Sequence, residues 1–275
     1  MPRPGSNSLS DATLRTLLIA TTIAFIAAVM LLPLSAVFVE AFRQGVGRYW
    51  QSFHDSATLS AIRLTLFVAG IVVPVNTLFG IAAVWAIGKF EFRGKAFFLT
   101  LIDLPLAVSP VVSGMVYVLL FGAQGWFGVW LDEHQISIVY AVPGIVLATM
   151  FVTFPYVARE LIPLMQQLGS DEEEAATTLG AGGLMIFFRV TLPKIRLGLL
   201  YGVILCNARA MGEFGAVSVV SANVRGVTST MPLQIEQLYQ EYDSVGAFAV
   251  ASLLTLLALV TLALKSVLEW RMRSR

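Results

Sequence analysis

Long stretches without a single Asp, Glu, Lys or Arg dominate the chain. They cover residues 16–39, 64–88, 104–131, 134–158 and 244–264. A bilayer's hydrocarbon core is about 30 Å thick and a helix rises about 1.5 Å per residue, so about 20 apolar residues cross it. Each of these runs can hold one crossing. The third ends in a glycine-rich tail, Gly122 to Gly128, that is expected to leave the bilayer. A sixth apolar stretch, about 192–222, is interrupted by Arg209 and Glu213. The pattern predicts six transmembrane helices, roughly 14–42, 57–88, 97–122, 137–163, 192–222 and 243–268. The alternation of a membrane β-barrel is absent, so the fold class is all-α and polytopic. The first run is longer than the roughly 7–15 residues of a signal-peptide core, and it reads as a retained anchor.

Composition sharpens this. The 275 residues are 57% hydrophobic and 13% charged. A soluble domain is about 45–50% apolar and about 25% charged. Such a chain cannot cover itself with polar surface, and it is equally unlike a disordered one. A net charge of +1 gives no reason to expect nucleic acid as a partner. The lone Cys206 excludes an internal disulfide and a Cys-based metal cluster. His54 and His134 are too few for a His-rich centre.

Basic residues set the orientation. Six crossings place both termini on one side. That side gathers Arg3, Arg15, Lys89, Arg93, Lys95, Arg159, Arg189, Lys194, Arg196, Lys265, Arg271, Arg273 and Arg275. The opposite loops hold only Arg43, Arg48 and Arg225. Both termini are therefore expected in the cytoplasm. Trp50, Trp126 and Trp130 fall near the expected outer interface, and Trp270 marks the inner exit of the last helix.

The longest cytoplasmic loop carries the most specific signal, Gly169-Ser-Asp-Glu-Glu-Glu-Ala-Ala-Thr-Thr-Leu-Gly180. Ser170 followed by Glu173 fits a capping box. The acidic residues 171–174 fall in the first turn, where the helix dipole favours negative charge. Ala175, Ala176 and Leu179 form a small apolar patch. Gly180 stops the helix by taking a left-handed conformation. A second short helix, about 184–190, leads to Pro193, placed at the first turn of the fifth span. Two readings follow from the physics: an ordinary capped surface helix, or a lever that docks into a cytoplasmic partner.

The run Glu174-Ala175-Ala176-x-x-x-Gly180, nine residues, then Val190-x-Leu192-Pro193 resembles the EAA loop of ABC-importer permeases, with Val190 in place of Ile. This resemblance implies the type I (MetI-like) importer fold with cytoplasmic coupling helices, and it favours the docking reading. Asp103-Leu-Pro-Leu-Ala-Val-Ser-Pro-Val-Val112 and Asn207-Ala-Arg-Ala-Met-Gly-Glu-Phe-Gly-Ala-Val-Ser-Val-Val-Ser221 are similar to the sulfate and molybdate permease group. Leu131-Asp-Glu-His134 and Met231-Pro-Leu-Gln-Ile235 look like the CysW-type sulfate/thiosulfate subunits. The resemblance implies residues 1–56 as a cytoplasmic segment, first helix and outer loop, 57–268 as the permease core with its EAA loop at 170–193, and 269–275 as a cytoplasmic tail. It also implies a bacterial inner-membrane location and ATPase coupling through Glu174, Ala175, Ala176, Leu179, Gly180, Leu192 and Pro193. The implied partners are a CysT-type sister permease, two ATP-binding subunits and a periplasmic sulfate-binding protein. No phosphate-binding G-x-x-x-x-G-K-[ST] loop occurs. ATP and Mg are therefore expected on the partner subunits, with no cofactor in this chain and no catalytic role.

Candidate pathway residues are the charged and polar groups within spans, which are costly in lipid. Arg209 and Glu213 lie four apart on one helix face. They read either as a self-neutralising structural pair or as a gate, with the guanidinium suited to oxyanions. Gly212 and Gly215 flank Glu213 and favour close helix packing over bending. Arg63 favours snorkelling over substrate contact. Ser109 and Ser113 can offer hydroxyls beside Pro110. Asp103 calls for a polar partner, and Asn76 is expected to bond across helices. The favoured function is ATP-driven import of sulfate and thiosulfate. Molybdate or tungstate is the near alternative, since these anions are all tetrahedral and doubly charged. An ion-coupled secondary carrier would leave the EAA-like loop unused, and an intramembrane hydrolase would need catalytic pairs that the spans lack.

Overall fold

The computed structural model describes residues 8–273. Arg3 and Arg275, used above for orientation, lie outside the described residues. Among those described, every regular element is helical. The first rod joins α1 (Ser8–Ile26), a π turn (Ala27–Leu31) and α2 (Leu32–Ala41). Then come α3 (Gly45–Ser52), α4 (Ser56–Lys89), α5 (Lys95–Ala107), α6 (Pro110–Phe121), α7 (Gly128–Glu133) and α8 (Val142–Gln167). The loop that follows holds α9 (Asp171–Thr178), α10 (Gly183–Ile186) and a second π turn (Phe187–Thr191). The last elements are α11 (Leu192–Met211), α12 (Gly215–Val220), α13 (Met231–Gln240) and α14 (Ser244–Arg273).

The centre is a three-helix body of α4, α8 and α11. Apolar burial gives no driving force between helices in lipid, so small residues that let backbones pack closely and side chains that bond across helices take its place. Val157 on α8 is fully buried between two such positions. A Cβ added to Gly80 of α4 would stand 2.9 Å from Val157 Cγ1, and one added to Gly202 of α11 would stand 3.1 Å from Val157 Cα. One layer along, Asn76 Nδ2 donates to Met150 O at 3.0 Å and to Thr153 Oγ1 at 2.9 Å. This is the interhelical role expected of Asn76. Asp55 caps the start of α4 through Thr58 N–H. Helix α2 packs along α14, and α1 is exposed over residues 13–26.

Four stretches are long and apolar enough to cross a membrane: Thr13–Ala41, Ser56–Lys89, Val142–Gln167 and Ser244–Leu268. Counting the bent pair α5–α6 as one gives a fifth. The 20-residue α11 carries Lys194, Arg196 and Arg209 and does not join them.

Two expected continuous helices are broken. The helix foreseen over 97–122 bends by 107° between α5 and α6. Ser109 precedes Pro110, whose ring disfavours the helical conformation there, and Ser109 sits at φ −58°, ψ 134°. The helix foreseen over 192–222 stops at Met211 and restarts at Gly215. Pro193, expected to open the fifth span, instead lies inside a rod that runs unbroken from Gly183. Each π turn ends two residues before a proline, Pro33 or Pro193. A proline ring clashes with the carbonyl four residues back, and both of those carbonyls fall within the wider π turn. Leu192 N–H accordingly reaches five residues back to Phe187 O. The short helices α3, α7 and α13 were not foreseen. Pro232 in the first turn of α13 is the signal that marks its start.

Candidate functional site

Two places in this fold concentrate unusual geometry. The first is the knob formed by α9 and the turn after it, at the Lys89 end of the bundle. Asp171 to Glu174 fill the first turn of α9 as expected. Gly180 has φ +83°, a conformation that side chains other than glycine resist. It closes the helix with two bonds, Gly180 N–H to Thr177 O at 2.9 Å and Ala181 N–H to Ala176 O at 3.0 Å. This is the paired 5→2 and 6→1 pattern of a glycine C-cap.

The expected capping box between Ser170 and Glu173 does not form. The side chain of Ser170 makes no bond to a helix N–H. Its hydroxyl donates to Glu174 Oε1 at 2.6 Å. Glu173 turns away from the helix start because a lysine and a hydroxyl claim it. Its Oε2 stands 3.0 Å from Lys89 Nζ, and its Oε1 accepts from Thr191 Oγ1 at 2.6 Å. The cap would offer the carboxylate one backbone N–H, whereas here a cation and a hydroxyl occupy both of its oxygens. Glu172 pairs with Lys194 at 2.6 Å. Successive helix positions differ by 100°, so the three glutamates fan out in three directions, each to partners of its own.

The apolar patch is also divided. Ala176 lies half-buried on the side of Glu173, whereas Ala175 and Leu179 face outward, Leu179 being 88% exposed. Leu192 and Pro193 do not lie on the knob. They sit at the root of α11, where the rod from Gly183 enters the helical body.

The second place is where the two broken helices meet. A Cβ added to Gly114 of α6 would stand 2.7 Å from Ala216 O, and one added to Gly215 of α12 would stand 3.0 Å from Pro110 Cβ. Gly215 thus has the packing role expected of it. Gly212 has nothing but its own helix nearby, and it lies at the end of α11. Glu213 sits in the gap between α11 and α12 and is 2% exposed. Its Oε1 accepts Ala216 N–H at 3.0 Å, and its Oε2 stands 2.9 Å from Arg209 Nη2. One carboxylate therefore fastens the start of α12 while holding a guanidinium that is one-third exposed. Discontinuous helices with free backbone ends are common where membrane carriers handle ions.

Ser109 is at the bend, and Ser113 is buried one turn on, its hydroxyl donating to Ser109 O at 3.3 Å. The structure thus brings Ser109, Ser113 and Glu213 into neighbouring elements. Arg63 is not among them: it faces outward from α4. Asp103 finds its partner in Arg159, at 3.3 Å on an exposed face. Trp50, Trp126, Trp130 and Trp270 are all exposed. Sequence reasoning missed the partners of Glu172 and Glu173, namely Lys194, Lys89 and Thr191. Only Thr191 and Lys194 lie close in sequence, at the start of α11, whereas Lys89 ends the distant α4.

Residues 79–274 match the family described as "Binding-protein-dependent transport system inner membrane component". The chain is 53% identical over 247 residues to the sulfate transport system permease protein CysW of Escherichia coli (strain K12), spanning 90% of this chain and 85% of that one. It is 33% identical over 260 residues to the sulfate transport system permease protein CysT of the same strain, spanning 94% of each. Its fold matches a chain in the crystal structure of a bacterial alginate ABC transporter in complex with an alginate pentasaccharide-bound periplasmic protein. That match has a TM-score of 0.79 at 17% identity, over 97% of this chain and 98% of that one. The chain belongs to the family of binding-protein-dependent transport system inner membrane components, and within it to the CysW-type permeases.

Proposed function

We propose that the chain is the permease subunit of an ATP-driven importer that carries sulfate and thiosulfate into the cytoplasm. The observation that carries this reading is the 53% identity to CysW over nine-tenths of the chain, joined to the Glu174-to-Pro193 motif, changed only at Val190, whose Glu174–Gly180 part forms an exposed, glycine-capped helix. The chain is a transport subunit and not an enzyme. Two partner subunits bind ATP and Mg and hydrolyse the nucleotide. Their push enters through Glu174, Ala175, Ala176, Leu179 and Gly180, and Leu192 and Pro193 pass it into α11.

A CysT-type permease completes the membrane pore, and a periplasmic sulfate-binding protein delivers the anion. The likeness of this chain to both CysW and CysT proteins supports a pair of related permeases. The chain crosses the inner membrane six times, with α5–α6 as the third crossing and α11 as the fifth. Both termini lie in the cytoplasm with the knob, and residues 57–268 form the core. Three charges make α11 a poor span alone, and burial against α4 and α8 lets it cross.

Arg209 is held by Glu213 and so presents only part of its charge. That suits a conduit, since an unpaired guanidinium would retain a doubly charged anion. The test is ATP-dependent uptake by the purified complex in vesicles, comparing sulfate, thiosulfate and molybdate. Sulfate and thiosulfate should compete with each other and exceed molybdate. Uptake of molybdate alone would overturn the assignment of substrate.

A further inference from the structure

We infer that Glu173, the residue before the motif glutamate, is the anchor that makes α9 move as one piece with α4 and α11. The inference deepens the proposed coupling role and rests on that reading. Three side chains converge on one joint. Lys89 is the last residue of α4, and its Nζ stands 3.0 Å from Glu173 Oε2. The same Nζ donates to Gly169 O at 2.6 Å, one residue before the cap of α9. Thr191 closes the π turn before α11, and its hydroxyl donates to Glu173 Oε1 at 2.6 Å.

Burial separates this joint from ordinary surface pairs. Lys89 and Glu173 side chains are 11% and 19% exposed, and Thr191 is 2% exposed. Exposed pairs contribute little to stability, but a shielded carboxylate with two directed partners resists displacement. Glu174 is different: it is exposed and bonds only the neighbouring Ser170 among the described residues. The two glutamates therefore divide the work. Glu174 faces outward, free to meet a partner, and Glu173 faces inward and ties the knob to two helix ends.

A push on α9 needs such a tie. Gly169 and Gly180 flank the helix with positive φ, and nothing lies within 4 Å of where their Cβ atoms would be. Without the joint, the knob would pivot on those glycines and the force would be lost. The second link, Glu172 to Lys194, is more exposed and supports only the α11 side.

The experiment uses the intact complex and two readouts. Amide exchange over residues 172–181 reports how firmly α9 is held, and anions moved per ATP reports coupling. Glu173→Gln should speed exchange there on the order of tenfold, as expected for losing one charged hydrogen bond. Exchange in α8 and α14 should be unchanged, and anions per ATP should fall. Glu174→Gln should leave exchange in α9 within about twofold. The swap Lys89→Glu with Glu173→Lys restores the ion pair but not the bond to Gly169 O, so it should recover part of the loss seen in Glu173→Lys alone, which also separates a lost joint from general misfolding. Unchanged α9 exchange in Glu173→Gln would overturn the inference, as would equal effects of Glu173→Gln and Glu174→Gln on that exchange. Failure of the unaltered complex to import sulfate would instead count against the proposed function, while the exchange data would still decide the anchor.

Discussion

Replacing Gly180 tests the knob by its backbone alone. At φ +83° the residue sits in the left-handed region, where a Cβ meets the following carbonyl oxygen and costs about 1–2 kcal/mol. No neighbouring atom lies within 4 Å of the Cβ position, so a new side chain adds strain without a clash. Helix α9 has only eight residues, far below the roughly 12–15 that hold a helix unaided. Its closing bonds, from Gly180 N–H and Ala181 N–H, are therefore a large share of what keeps it folded. Gly180→Asn should weaken them by a few tenths of a kcal/mol, because asparagine tolerates this region. Gly180→Ala should cost about 1 kcal/mol, and Gly180→Val should cost about 2 kcal/mol or more, since β-branched residues are rare there. The population with an open α9 should rise roughly fivefold for Ala and about thirtyfold for Val. Amide exchange at residues 180 and 181 measures this directly, and anions moved per ATP should fall in the same order. The reasoning fails if Gly180→Val exchanges like the unaltered chain, or if Asn and Val are equally harmful.

Other outcomes follow from the same geometry. A photo-crosslinker at Leu179, the most exposed apolar side chain of the knob, should capture an ATP-binding subunit; capture of lipid alone would contradict the docking. Arg209→Ala strips the buried Glu213 of its cation and should destabilise the subunit by about 1–3 kcal/mol, discounted because Arg209 is partly exposed. Adding Glu213→Gln to that variant should restore much of the loss in thermal unfolding, since no charge is then left unpaired. Gly114→Leu would drive a side chain into Ala216 O across the bend and should lower the yield of folded subunit, while the same change at exposed Gly70, where the Cβ position is open, should not.

The sequence carried the coarse plan well because lipid imposes a simple rule. Charge-free runs foretold α4, α8, α14 and the first rod to within a few residues, and Gly180 foretold its own φ. Where free backbone or a distant partner decided the outcome, local reading fell short. The apolar run around Ser109-Pro110 reads as one continuous span, yet a proline that forces its predecessor into extended backbone can turn the chain by 107°. Glycine at 212 and 215 pointed to packing, and only the three-dimensional fold showed that Glu213 bridges a real gap between them. The Ser170–Glu173 box obeyed a sound local rule and lost to Lys89, 84 positions away in the chain. That contact has no signature in the loop itself. The same distant pairing explains why the motif glutamate Glu174 was legible and its structural neighbour Glu173 was not.

The most direct test of the whole account is sulfate uptake into vesicles holding the subunit, its sister permease and the binding protein, with and without the ATP-binding subunits. The account predicts accumulation only when those subunits and ATP are present on the face that bears residues 170–186. Accumulation in their absence would contradict it.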